Sequence, residues 1–136
     1  MKIKAGFREI EHTADLAIEV WAPDLPSLFS QAAQAMYTVA RVQLAETPRI
    51  NRLINLHAQD IESMLVLFLN ELIFLGECDE VGFDEMDLRL SGEDMECYLS
   101  GADIKSKGRE IKAATYHGLE VRSGADGYRA KVVFDV

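Results

Sequence analysis

The sequence holds two cysteines, Cys78 and Cys97, with no second thiol near either. That scarcity excludes a disulfide framework and any CxxC metal or redox site, and it fits a reduced, cytoplasmic setting. No long hydrophobic run is present. The greasiest stretch, Met64 to Leu69 with Leu72 to Leu75 behind it, is broken by Asn70 and Glu71. It falls short of the ~20 residues a bilayer span needs, so a buried helix and no membrane partner are expected. The opening MKIKAGFREIEH has lysines but no apolar core of a signal peptide. Basic residues are also few, with 14 Lys and Arg against 23 Asp and Glu and a net charge of −9. Such a balance argues against a protein that coats nucleic acid non-specifically; an acidic chain needs a basic partner or a cation. GxSxG, P-loop, GxGxxG and HExxH signatures are all missing, so a catalytic function is not expected.

At 136 residues and 49% hydrophobic composition, the chain has the length and the side chains for one core, and a single domain over 1–136 is expected. Leu16, Ile18 and Val20 alternate with Ala17, Glu19 and Trp21, the period of a strand, before Pro23 stops it. Asp24 then caps a helix whose apolar stripe is Leu25, Leu28, Phe29, Ala32, Ala33, Met36 and Ala40. Ile54, Leu56 and Ala58 mark another strand, and Asp60 caps a second helix over 61–75 with Gly76 as its stop. This helix is apolar on almost every side and predicts sheets around it. Period-2 patterns then return in two hairpins. One joins Met86, Leu88 and Leu90 to Met95, Cys97 and Leu99 through Ser91-Gly92-Glu93-Asp94, and the other joins Leu119 and Val121 to Tyr128, Ala130, Val132 and Phe134 through Gly124-Ala125-Asp126-Gly127. The segregation of helices and strands predicts an α+β fold, two helices packed with mostly antiparallel sheet.

Several groups of residues could carry chemistry. His12 and Asp15 stand just before the first clear strand and form a pair suited to a base and its orienting carboxylate, although surface or capping roles are commoner for such pairs. Asp135 adjoins Val136, and a strand running to that point would set a side-chain and a main-chain carboxylate side by side. Oxygen donors of this kind suit Ca²⁺ or Mg²⁺ better than Zn²⁺. The acids from Glu77 to Asp87 do not fit an EF-hand and read as a solvated loop. The first hundred residues carry 7 basic and 18 acidic side chains, the rest 7 and 5. Lys105, Lys107, Arg109 and Lys112 in that last part are a candidate positive patch, with a solvated loop as the plainer reading. Residues 111 to 117 bring Lys112, Thr115, Tyr116 and His117 together; read as a strand, Ala113 turns inward and Lys112 shares the outward face with Ala114.

Four segments in order resemble one known family. They are His12-Thr13-Ala14-Asp15, the helix opening Asp60-Ile61-Glu62-Ser63-Met64-Leu65 with Phe68-Leu69-Asn70-Glu71-Leu72 after it, Ile111-Lys112-Ala113-Ala114-Thr115-Tyr116-His117, and Phe134-Asp135-Val136. From residue 7 to 136 the chain resembles archease, the small accessory protein of the RtcB-type RNA ligase. The resemblance implies an α+β fold and a non-catalytic protein that binds a divalent metal ion, Ca²⁺ or else Mg²⁺. It also implies help with the ligase's guanylylation and multiple turnover in tRNA splicing or RNA repair, with RNA met only through the ligase. By position, the metal ligands would be Asp15, Asp135 and the main-chain carboxylate of Val136. Lys112 matches a family position tied to function, with His12 and His117 as secondary partner-activation candidates. The rival readings are a metal-dependent hydrolase using His12 and Asp15, and a protein or RNA chaperone.

Overall fold

A computed structural model describes residues 2–11 and 15–136. The first strand, β1 (Gly6–Glu11), was not marked by the alternation that announces β2 (Leu16–Ala22), against which it pairs antiparallel. In β2 the expected inward set, Leu16, Ile18 and Val20, is buried together with Ala22. Pro23 follows, and the Asp24 carboxylate accepts a 2.8 Å hydrogen bond from the Ser27 N–H, satisfying a donor at the start of α1 (Leu25–Val39). The buried stripe of α1 contains Leu28, Phe29, Ala32, Ala33 and Met36, as the spacing predicts. Its large side chains stabilise the fold by roughly 1.5–3 kcal/mol each when fully buried.

A short β3 (Gln43–Leu44) and then β4 (Ile50–His57) lead to α2 (Ile61–Cys78), where Asp60 repeats the capping device with a 2.7 Å bond from the Ser63 N–H. Gly76 does not stop this helix. It continues to Cys78, and the chain turns at Asp79 and Glu80, the latter at φ 54°. The acids that follow do not form a loop either, because β5 (Val81–Ser91) begins at once. Val81 and Phe83 are buried while Asp84, Glu85 and Asp87 point outward, so the strand absorbs the acidic run on its open side. Arg49 holds Asp84 in a two-pronged ion pair that keeps its carboxyl below the usual carboxylate range. Gly92 turns β5 into β6 (Asp94–Ser106) as the hairpin pattern predicts.

The second half of the chain departs most from expectation at 111–117. Only β7 (Ala113–Ala114) is paired there, and Ala114, not Ala113, is buried. The pair Val121–Gly124 and Gly127–Asp135, β8 and β9, forms the closing hairpin as expected, but Leu119 lies before it in a turn, its N–H bonded to the Tyr116 carbonyl.

All pairings are antiparallel, and the two sheets share a plan. In one, β9 is flanked by β2 on one side and by β7 and β8 end to end on the other; β1 lies beyond β2. In the other, β6 is flanked by β5 on one side and by β4 and β3 end to end on the other. At the β5–β6 crossing a Cβ on Gly101 would fall 1.8 Å from the Gly82 carbonyl oxygen, so only glycine permits that approach. The helices bridge the sheets: α1 contacts β1, β2 and β9 as well as β5, and α2 contacts β4, β5 and β7. One hydrophobic cluster draws on both helices and both sheets, which is the expected α+β arrangement. No helix among the described residues is long and apolar enough to cross a membrane.

Cys97 sits in this cluster, fully buried, and burial pushes its thiol up to about 12; Cys78 is exposed at the end of α2. A disulfide-exchange reagent at pH 8 should therefore titrate one thiol rapidly in the native protein and two in denaturant. Substitution Cys78→Ser should abolish the native reaction.

Candidate functional site

Leu16 and Phe134 form the last pair of the β2–β9 ladder. The residues next outward on these two neighbouring strands are Asp15 and Asp135. Two carboxylates far apart in sequence thus come to the same end of one sheet through register alone. Asp135 is exposed, and its backbone is fixed rather than frayed, since it pairs with Ala113 and its carbonyl accepts a 2.9 Å bond from the Lys112 N–H. Asp15 is half-buried and Val136 exposed.

Lys112 lies one step beyond the Ala113–Asp135 pair, at the same end of the sheet, and is exposed. Among the described residues its ammonium makes no ion pair. The expected sharing of a face with Ala114 fails for a physical reason: Ala114 opposes Phe134, a core residue, so its side chain turns inward. What holds this short strand is Asn70 of α2. Its carboxamide donates to the Ala114 carbonyl at 3.2 Å and accepts from the Ala114 N–H at 2.8 Å, the two bonds a neighbouring strand would make. Further along the segment, the Glu62 carboxylate accepts from the Val121 N–H at 2.9 Å. Thr115 donates both its N–H and its hydroxyl to the Val133 carbonyl, and the Thr115 hydroxyl oxygen in turn accepts from the His117 N–H at 3.3 Å. His117 is exposed beside this turn. His12 lies outside the described residues. Asn70 and Glu62 escaped selection as functional positions. The available signal was Asn70 itself, a polar break in an apolar helix, since a half-buried amide demands partners.

The anticipated patch of Lys105, Lys107, Arg109 and Lys112 is not a continuous free cationic surface. Lys107 pairs with Glu110 at 3.3 Å and Arg109 with Glu9 at 3.2 Å, while the Gly108 and Arg109 N–H groups bond the Ala40 carbonyl at the end of α1. His57 and Asp94 form a 2.9 Å pair, on β4 and β6 of the other sheet. The hydrogen bond to Asp94 raises the imidazole above its ordinary pKa, but the pair is exposed and shares no element with Asp15 or Asp135.

Among the described residues no three His, Cys, Asp or Glu side chains gather as a metal-binding group. The donor set that the register brings to the sheet end is the carboxylates of Asp15 and Asp135. Oxygen donors alone, without thiol or imidazole, fit a hard divalent cation.

The Archease protein family matches residues 7–136. A protein archease of Methanosarcina barkeri is 35% identical, the match covering 96% of this chain and 95% of that protein. A protein archease-like of Drosophila melanogaster is 26% identical over 96% of this chain and 90% of its own. Among solved structures, the crystal structure of an archease, described as a possible chaperone, from Thermotoga maritima superposes with a TM-score of 0.71 at 26% identity, covering 95% of this chain and 96% of that one.

The clamp on β7 makes a direct test. Substitution Asn70→Ala leaves the Ala114 N–H and carbonyl unpaired, which should cost roughly 1–3 kcal/mol in urea unfolding. Asn70→Asp, which keeps the acceptor but sets a carboxylate oxygen against the Ala114 carbonyl, should cost at least as much. Amide exchange should accelerate at Ala114 more than in β2.

Proposed function

The chain belongs to the archease family, and on that premise we propose that it is a metal-binding accessory protein of an RtcB-type RNA ligase, promoting the ligase's guanylylation and its multiple turnover in tRNA splicing or RNA repair. The observation that carries this reading is the register that leaves Asp15 and Asp135 as the next residues beyond the Leu16–Phe134 pair, in a family member matched over 7–136. Asp15, Asp135 and the main-chain carboxylate of Val136 would hold Ca²⁺ or Mg²⁺, their like charges offset by the ion. The bound cation would supply positive charge to anionic groups presented by the ligase. Lys112, exposed at the same sheet end, would meet a phosphate or carboxylate of that partner, with His117 and His12 as further contacts. Without a nucleotide-binding loop or an activated nucleophile signature, the chain leaves the covalent chemistry to the ligase.

A chaperone role is the second reading. It is favoured by Phe74, 55% exposed, and Leu67, 37% exposed, seven residues apart and so on one side of α2.

Ligation by a purified RtcB-type ligase at limiting enzyme separates the two. The product formed per ligase should rise several-fold when this protein is added, and Asp15→Ala or Asp135→Ala should remove the gain with an unchanged melting temperature. Calorimetric titration should show Ca²⁺ or Mg²⁺ binding that either substitution weakens. No gain with any such ligase, together with suppressed aggregation of a heated client that Phe74→Glu abolishes, would replace this reading with the chaperone one.

A further inference from the structure

The face of the β1-β2-β9 sheet turned away from the helices differs in charge from the chain as a whole. Side chains directly opposite one another across antiparallel strands share a face. Arg8 opposes Glu19, which opposes Lys131; Gly6 opposes Trp21, which opposes Arg129, which opposes Arg122. The inward-facing neighbours of these residues, Val20, Ala130 and Val132, are buried in the core. Four exposed basic side chains and the chain's one tryptophan therefore lie together on a single surface, in a protein of net charge −9. Arg8 is paired with Glu19 at 3.3 Å and Arg122 with Glu120 at 3.2 Å, whereas Arg129 and Lys131 make no ion pair among the described residues.

Trp21 is held in a particular way. A Cβ at Gly6 would lie 2.8 Å from the indole Nε1 and 2.9 Å from Cε2 and Cζ2, so the ring is laid against the backbone of β1 at a place only glycine leaves open. The Arg129 guanidinium stands over the ring, 5.9 Å from its centroid, so a base stacks there as this exposed side chain swings to a phosphate. The result is a half-buried aromatic ring bordered by cations at one end of a sheet face whose other end, at Ala17 and Val133, is buried.

We propose that this face binds a single strand of nucleic acid, with Arg129, Lys131 and Arg122 meeting phosphates and a base stacking on Trp21. Flat aromatic surfaces accept any base, and neighbouring cations follow the backbone. A duplex keeps its bases stacked on one another and offers none to the indole. An acidic protein would satisfy the cations but would have no use for the aromatic surface. The negative charge over the rest of the chain repels a polyanion, and so confines it to this face. The inference is independent of any metal at Asp15 and Asp135.

The test uses the full chain and a fluorescein-labelled twelve-nucleotide oligouridylate, with anisotropy read between 50 and 200 mM salt. Two or three phosphate contacts should give a log–log salt slope of about −1.4 to −2. Unlabelled oligouridylate should quench the emission of Trp21, which is a clean signal because the chain has no other tryptophan. Arg129→Glu with Lys131→Glu should weaken binding at least tenfold. Lys107→Glu, away from this face, should leave it within twofold. Both reversed residues are exposed, and circular dichroism will verify that the double variant folds. Binding by the double variant within twofold of the parent, or binding without quenching, would overturn the proposal. Competition by polyglutamate as strong as that of the oligonucleotide would assign the face to an acidic protein instead.

Discussion

The carboxamide of Asn70 stands where a strand would stand. β7, two residues long, is bonded to β9 on one side, and the helix supplies the hydrogen bonds of the other side. That clamp holds the strand in which Ala114 turns inward opposite Phe134, Lys112 is exposed and Ala113 pairs with Asp135. The amide can reach Ala114 only because α2 is buried against both the core and this segment. Packing of an apolar helix thereby sets the position of polar groups on the opposite side of the strand it touches.

Each sheet is organised around one long strand, β9 or β6, with a full-length partner on one flank and two short strands on the other. Charge follows the same division. The outer side of β5 carries acids that Arg49 and Arg89 partly pair, and the outer side of β9 carries Arg129 and Lys131. Whole-chain charge therefore conceals two surfaces of opposite character, and exclusions drawn from net charge apply to the average surface alone.

What could be read from the sequence was what local chemistry determines. Asp24 and Asp60 cap their helices within three residues, Gly92 closes its hairpin within two, and the stripe of α1 needs no partner to be visible. Gly76 misled because a glycine in a helix buried on most sides is tolerated when packing continues past it. The acidic run misled because its acids occupy the solvent side of a strand whose inward residues, Val81 and Phe83, are few at its start. The strand expected over 111–117 is only two residues long and turns Ala114 inward, not Ala113, because its partners are a distant strand and a helix side chain, neither of which leaves a period in the segment itself. That Asp15 and Asp135 flank the Leu16–Phe134 pair depends likewise on a register between segments far apart in the chain, which alternation within either segment does not reveal.

The position of β9 in the element order also governs how the chain leaves the ribosome. Strands β3 to β6 with α2 are contiguous and can assemble as soon as they emerge, whereas β1 and β2 must wait, with an unpaired edge, for the final nine-residue strand. That strand also carries Asp135 and completes the tryptophan-bearing face. A chain cut before β9 therefore lacks both Asp135 and the cations beside Trp21.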